Sequence, residues 1–218
     1  MENDFLKVIE TRRSCRKYKP EQITDEELKA VLEAGTYAPT SRGMQSPYIV
    51  AVQKKEVLAR LAKMNAEIMG VTSNPYYDAP TYVLVFAPSL ANNPVQDGSC
   101  VLENMMLAAH ALGLGSCWIH REREMFATGE GKQLMEEWGL PEGLMGIGAL
   151  SLGYPDGESA PAKPRKPEYF RVIKIRHKKT QGRFTQNVLA FAFKRPCVLP
   201  KNVKAFKLKR KGVFFNSV

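Results

Sequence analysis

The sequence predicts a mixed fold of helices and strands, of the α/β or α+β class, built around one sheet. Three observations predict it. Helical and strand patterns alternate along the chain. Residues 81–87 form an almost continuous apolar run, which is typical of a strand covered on both faces. No stretch approaches the ~20 apolar residues that a membrane-spanning helix needs, and no internal repeat is present.

Two helices are predicted near the N-terminus. Phe5, Leu6, Val8 and Ile9 mark a short first helix that runs into a basic turn. The second helix has a clear start, because a threonine at 24 and a glutamate at 27 have capping-box spacing and two more carboxylates follow the threonine. Leu28, Val31 and Leu32 line one of its faces, and a glycine at 35 is suited to end it.

The remaining elements follow from apolar periodicity and from the glycines and prolines between them. In order, they are a loop at 37–47, a strand at 48–52, a helix at 56–64, the buried strand at 81–87, a long helix at 98–114, a strand at 116–119, a helix at 132–138 and a strand at 144–152. The long helix is too apolar to face water, so we expect it in the core or along an interface.

Charge divides the chain into two parts. Residues 172–218 contain 13 lysines and arginines and no acid, which leaves 19 basic and 22 acidic residues in 1–171. We expect a domain at 1–174 and a basic tail at 175–218 that is mostly mobile and outside the fold. The tail is either an accidental extension or an arm for nucleic acid or an anionic membrane surface.

Several kinds of function are disfavoured. The four cysteines have neither CxxC nor zinc-ligand spacing, so we expect no metal site and reduced thiols in a cytoplasmic protein. Both the dinucleotide fingerprint GxGxxG and the phosphate-binding P-loop are absent. With three histidines, no Ser-His-Asp or Cys-His order is convincing. An enzyme with this sequence would therefore take its reactivity from a cofactor, and no catalytic side chain is predicted.

Three polar segments are candidates for a binding site. Residues 12–16 place three arginines and a serine within five positions, which suits bidentate binding of a phosphate. The loop at 38–45 offers hydroxyls, an amide and a glycine that allows close backbone approach. Residues 161–168 form an extended proline-rich stretch that includes a pair of cations two positions apart, Lys163 and Arg165. Taken singly, each segment is more often a solvated turn, a connection or a linker.

Together these segments resemble the FMN-dependent nitroreductases, particularly the short bacterial type. The matching pieces come in family order over residues ~3–173, and they are 12–18, 38–47, 102–119, 150–155 and 163–165. The resemblance implies an α+β fold with a central sheet sandwiched by helices, two chains per functional unit and two FMN sites at the dimer interface.

The resemblance also assigns candidate site residues. The FMN phosphate and ribityl chain would be held by Arg12, Arg13, Ser14 and Arg16. A Lys-x-Arg pair, Lys163 and Arg165, would complete the phosphate site. The partner subunit's flavin would be reached by the loop residues Pro39, Thr40 and Ser41. Gln45 would lie near the isoalloxazine ring, and Asn74 would make a polar contact with the flavin. The backbone around Ile119, His120 and Arg121 would pass close to the ring. Family members often have a Glu-Gly pair where this chain has His120-Arg121.

The implied activity is that of an FMN-dependent NAD(P)H oxidoreductase. NADH or NADPH would reduce the flavin, and a nitro compound or quinone would then take the electrons in a ping-pong cycle. One alternative keeps the fold and changes the flavin chemistry, to reductive dehalogenation or flavin breakdown. Another is a binder of nucleic acid or anionic surfaces that acts through the basic tail.

Overall fold

The computed structural model describes residues 3–174 and shows helices on a four-stranded sheet. In chain order the elements are α1 Asp4–Thr11, α2 Asp25–Thr36, a 3-10 turn Ser41–Gly43, β1 Tyr48–Val52, α3 Lys55–Met69, β2 Thr81–Pro88, α4 Pro94–Ala111, β3 Gly115–Ile119, α5 Glu122–Met125, α6 Gly129–Glu137 and β4 Leu144–Gly153.

The sheet is antiparallel throughout and has the strand order β1-β2-β4-β3. The central strand β2 is paired on both edges, and seven of its eight residues are buried. A register shift between Val85 and Phe86 interrupts its pairing with β4. The predicted α+β class and the strand covered on both faces are therefore confirmed, since alternate side chains of β2 point into two different cores.

Two apolar cores enclose the sheet. On one face, Leu84 and Phe86 pack with Leu61 of α3 and Leu134 of α6. On the other face, Val83 and Val85 pack with α2 and α4, including the side chains of Val31, Leu102 and Met105. The sheet is thus sandwiched by helices, as the sequence predicted, and its edges are left to loops and to the N-terminal segment.

Local signals set several element boundaries. The Thr24 hydroxyl accepts from the Glu27 amide at 3.2 Å, and the Glu27 carboxylate accepts from the Thr24 amide at 2.9 Å, which confirms the predicted capping box. The prediction that Gly35 ends α2 is wrong by one residue. Gly35 lies inside the helix, and its role there is in packing. A Cβ at this position would stand 2.8 Å from the Met105 side chain, so the glycine permits close α2–α4 packing.

Other boundaries differ from the sequence predictions. α3 continues to Met69, five residues beyond the expected end, and stops where Gly70 adopts a left-handed cap. α4 begins at Pro94 rather than 98, since proline suits the first turn of a helix, and it ends at Ala111 rather than 114. α5 has only four residues and was not predicted.

The chain divides into two units, Met1–Arg165 and Lys166–Val218. In the described part of the second unit, Arg171 pairs with Glu168 at 3.9 Å and the Lys166 ammonium lies 5.5 Å from the Tyr169 ring. The predicted basic tail, 175–218, lies outside the described residues, so its domain boundary and its role stay predictions. Within residues 3–174, no helix is long and apolar enough to cross a membrane.

Candidate functional site

The N-terminal basic motif lies along the free edge of β3. Ser14 forms a parallel bridge with Ser116, and the Cys15 amide donates to the Ser116 carbonyl at 2.9 Å. Just before the motif, the Thr11 hydroxyl lies 2.8 Å from His110 Nε2 at the end of α4. The motif is therefore fixed between a sheet edge and a helix end, which places its side chains at a defined position.

The three arginines of this motif meet no carboxylate. Among residues 3–174, none of Arg12, Arg13 and Arg16 forms an ion pair. The Nη1 atom of Arg12 is buried and has no hydrogen-bond partner in the same part of the chain. A buried guanidinium N–H without a partner is costly unless a ligand satisfies it, so this edge is a candidate site for an anion.

Positive charge at the motif also shows in its neighbours. The pKa of His110 is lowered, first by burial and then by the charges of Arg12 and Arg13. Burial raises the pKa of the Cys117 thiol, while Arg16 and a hydrogen bond to Ser14 oppose that rise. Cys117 therefore lies next to the motif, on β3, and its side chain is nearly fully buried.

Tyr77 joins this cluster, although the sequence did not separate it from Tyr76. Arg16 Nε donates to the Tyr77 hydroxyl at 3.3 Å, and the guanidinium lies 5.8 Å from the ring centre. This hydrogen bond is the main cause of the raised pKa of Arg16. Tyr76 is instead fully buried and stacks on Tyr82 with ring centres 4.0 Å apart. Neighbouring tyrosines thus have different roles, one in the core and one at the site.

Asn74 shapes the turn that presents Tyr77. Its side-chain oxygen accepts from the Tyr76 amide at 2.9 Å, and its Nδ2 donates to Asp78 at 2.8 Å and to the Tyr82 hydroxyl at 3.1 Å. Tyr77 and Asp78 both have a left-handed backbone, with φ of 58° and 54°. The Asn74 amide is therefore occupied within the protein, and any contact of Asn74 with a ligand would require one of these bonds to change.

The loop at 39–45 lies at the opposite end of α4. The Ser41 amide donates to the buried Asp97 carboxylate at 3.0 Å, and Asn93 Nδ2 donates to the Ser41 hydroxyl at 3.1 Å. The Gln45 amide donates to the Thr40 hydroxyl at 2.9 Å, with Gln45 itself at φ 49°. Pro39 precedes these anchored residues and is exposed.

The structure does not bring this loop to the arginines of the same chain. The loop is tied to Asp97 in the first turn of α4, while the basic motif is tied to His110 in its last turn. At 1.5 Å of rise per residue, these two positions are about 20 Å apart along the helix. The two segments therefore belong to different places on one chain.

Lys163 and Arg165 are exposed and lie in irregular backbone. The segment that leads to them passes beside the basic motif, because the Asp156 amide donates to the Lys17 carbonyl at 3.0 Å and Lys17 pairs with Asp156 at 2.7 Å. Within residues 3–174, no hydrogen bond or ion pair joins Lys163 or Arg165 to Arg12. The structure thus brings the segment near the motif without contact between these side chains.

The turn after β3 contains an unexpected backbone conformation. Ile119 ends the strand and is buried, His120 is exposed, and Arg121 adopts φ 87°. The fully buried Asn65 of α3 donates from Nδ2 to the His120 carbonyl at 2.8 Å, and its Oδ1 accepts from Arg121 Nε at 2.8 Å. Asn65 has no sequence motif around it, and sequence reasoning missed it.

A buried acid lies directly behind this turn. Glu122 is 1% exposed, and one of its carboxyl oxygens accepts from the Tyr76 hydroxyl at 2.9 Å. The other oxygen, Oε2, has no partner among residues 3–174. Burial raises the pKa of Glu122 to about 7, although the Tyr76 hydrogen bond and the charge of Arg121 oppose the rise. No sequence pattern distinguishes this buried glutamate, since surface glutamates have the same local pattern.

Two cavities are lined by residues outside the basic motif. One, of about 440 Å³, is formed by α5, α6 and the start of β4, and Phe126, Met135 and Leu144 are among its walls. None of the predicted site residues lines it. The other, of about 660 Å³, is lined by Asn74 and Tyr82. Among residues 3–174, no group of three or more His, Cys, Asp or Glu side chains is arranged to hold a metal ion.

Fold and site together define an α+β protein with a cluster of three arginines at the edge of a sheet covered on both faces. Comparison with known proteins identifies it further. The model of the nitroreductase family matches residues 9–154. The chain therefore belongs to the nitroreductase family, and the resemblance inferred from its motifs is confirmed.

Individual relatives agree with this assignment. A protein from Archaeoglobus fulgidus is 36% identical over 163 residues, which cover 71% of this chain and 87% of that protein. An NADPH-flavin oxidoreductase from Vibrio harveyi is 29% identical over 187 residues, covering 78% of this chain and 73% of the other. A nitroreductase structure with bound FMN from Bacteroides fragilis superposes with a TM-score of 0.72 at 30% identity, covering 79% of this chain and 100% of that one.

Proposed function

We propose that this chain is an FMN-dependent NAD(P)H oxidoreductase that reduces nitro compounds or quinones. The observation that carries the proposal is the cluster of Arg12, Arg13 and Arg16 at the edge of β3. Within residues 3–174, a buried guanidinium N–H of this cluster has no partner, and no carboxylate forms an ion pair with its arginines. A family member with the same fold contains bound FMN. The negative charge of the FMN phosphate would neutralise the positive charge of these arginines.

The residues fit the phosphate end of FMN. Arg12 Nη1 is an available donor, and Ser14, whose backbone pairs with Ser116, adds a hydroxyl at the same edge. Charge-assisted hydrogen bonds of guanidinium to phosphate are short and about twice as strong as neutral ones. In the bound state, Lys163 and Arg165 would complete this seat, since Asp156, in the segment that leads to them, is already paired with Lys17.

The chemistry then belongs to the cofactor. Bound FMN supplies an electron carrier that accepts a hydride from NADH or NADPH and gives electrons to a second substrate. The side chains bind, orient and exclude water, so no general acid or base is required. Because one bound FMN would serve NAD(P)H and the acceptor in turn, we expect ping-pong kinetics. The turn at Ile119 and His120, tied down by Asn65, would align the ring.

Flavin content and reduction test this proposal. The purified protein is expected to bind one FMN per chain, to show the absorption bands of an oxidised flavin, and to lose them when NADH or NADPH is added without oxygen. Addition of a nitroaromatic or a quinone should restore the bands. Failure of the protein to bind FMN at micromolar concentration, after incubation with excess cofactor, would contradict the proposal.

The proposed functional unit is a homodimer with each FMN between two chains. Two features of the chain support it. The loop at 39–45 and the basic motif are held at opposite ends of α4, so one chain alone does not assemble the site. None of the residues of α1 is buried, and Phe5 and Ile9 are 63% and 46% exposed, an apolar face that a partner would cover.

Mixing two inactive variants is expected to restore binding if the loop acts across the dimer. Arg12→Glu reverses charge at the phosphate seat, and Thr40→Trp blocks the loop. After subunit exchange, half of the dimers are mixed and each has one intact site, so about a quarter of the wild-type sites should return. Titration with FMN measures the recovery, and sedimentation measures the assembly. No recovery despite exchange, or a flavin-loaded monomer, would show that the site is formed within one chain.

A further inference from the structure

Arg121 occupies a backbone conformation that ordinarily favours glycine. Its φ of 87° lies in the left-handed region, where a Cβ atom meets the backbone and makes most residues uncommon. Such strain persists only where surrounding contacts enforce it, and it concentrates at functional sites. The residues that hold Arg121 in this conformation therefore determine the shape of the turn after β3.

Asn65 supplies that hold from a different element. Its Nδ2 donates to the His120 carbonyl at 2.8 Å, just before the strained residue, and its Oδ1 accepts from the Arg121 side chain at 2.8 Å. One amide thus fixes both the backbone and the side chain of the turn. Asn65 is completely buried on α3, so it has little freedom to follow if the turn moves.

The turn is confined from the opposite side as well. Glycine at 146 on β4 lies so close that a Cβ there would stand 2.4 Å from the Glu122 carbonyl oxygen. The terminal Nη2 of Arg121 also lies 3.1 Å from the Met69 sulfur at the end of α3. The turn between β3 and α5 is therefore held between β4 and α3. Among residues 3–174, Asn65 is the only side chain that forms hydrogen bonds to both His120 and Arg121.

We propose that Asn65 is a positioning residue for the flavin-ring end of the site. Its hydrogen bonds hold residue 121 in a left-handed backbone that a glycine there would adopt without strain. This inference rests on the proposed function, in which the turn at 119–121 lies beside the flavin ring. Asn65 itself would not contact the flavin. It acts by keeping Arg121 left-handed, so that the His120–Arg121 peptide keeps a fixed orientation.

The test compares Asn65→Ala in three backgrounds, namely wild type, Arg121→Ala and Arg121→Gly. Both substitutions at 121 remove the guanidinium, but only glycine adopts a left-handed backbone without strain. Asn65→Ala is expected to weaken FMN binding about tenfold in wild type, about fivefold with alanine at 121, and less than about twofold with glycine at 121, since loss of hydrogen bonds matters only where strain must be resisted. The visible circular dichroism of bound FMN should change in the same order.

Two results would overturn the inference. Equal effects of Asn65→Ala with alanine and with glycine at 121 would mean that backbone strain is not what Asn65 resists. An unchanged FMN affinity and flavin spectrum in Asn65→Ala would mean that it does not position the turn. If Asn65→Ala fails to fold, Asn65→Asp replaces it, because aspartate keeps the acceptor for Arg121 and loses the donor to His120. Absence of FMN binding in the wild-type protein would instead refute the proposed function itself.

Discussion

Glu122→Gln is expected to gain stability over wild type as the pH rises. The free energy of unfolding of the variant minus that of wild type should increase by about 3 kcal/mol between pH 4.5 and pH 8. The pKa of Glu122 is raised from 4.5 to about 7 by burial, so the folded protein keeps this proton where the unfolded chain has released it. Unfolding therefore releases a proton between pH 4.5 and 7, and the wild-type free energy of unfolding falls across this window. Above pH 7 the loss is complete, and glutamine, which does not titrate, avoids it.

The measurement is denaturant unfolding of the cofactor-free protein at several pH values, read as the difference between variant and wild type. That difference isolates the titration of Glu122 from all other groups. Glu122→Gln is also expected to lower the free energy of unfolding by an amount that does not depend on pH. The new amide nitrogen takes the place of Oε2, which has no partner among residues 3–174. Glu124→Gln is the matched control, since Glu124 is exposed two residues away. A Glu122→Gln difference that stays the same from pH 4.5 to 8 would contradict the prediction.

Arg12→Ala is expected to weaken FMN binding by about 1.5–3 kcal/mol, which is roughly 10- to 150-fold, the scale of hydrogen bonds to a charged group. The reason is that Arg12 Nη1 is buried and without a partner, and no carboxylate competes for the guanidinium within residues 3–174. We expect Arg165→Ala to act in the same direction, through the same phosphate.

Titration with FMN, followed by fluorescence quenching, gives these affinities. Arg60→Ala is the control, because Arg60 is an arginine of the same domain whose charge is already paired with Glu130 at 2.7 Å on α6. Its removal should leave FMN affinity near the wild-type value. If Arg12→Ala and Arg165→Ala both bind FMN as tightly as wild type, the phosphate does not lie at the basic motif.

Much of the fold follows from short stretches of sequence. The capping box of α2 joins residues three apart, and the fully apolar run of β2 reports burial on both faces directly. Boundaries were less predictable where the signal depended on packing. Gly35 reads as a helix end, yet it lies inside α2 because Met105, 70 residues later, requires a small neighbour.

The candidate site divides in a similar way. Its arginines, its loop and its Lys-x-Arg pair are present as motifs, so the sequence predicted which residue types would bind a phosphate-bearing cofactor. The separation of Tyr76 from Tyr77 was not predictable, since two adjacent tyrosines carry the same apolar and polar character. Only the turn at Asn74 sends one into the core and the other to Arg16.

The sequence by itself determined the family and the class of fold, and it predicted an anion site, because helix caps, strand periodicity and clustered charge are properties of neighbouring residues. The tertiary structure alone decided where those groups stand. It set the basic motif and the 39–45 loop at opposite ends of α4, buried Glu122 beside Tyr76, and tied Arg121 to Asn65 across 56 positions of sequence. Burial and strain depend on which distant segments pack together, and no local pattern contains that information.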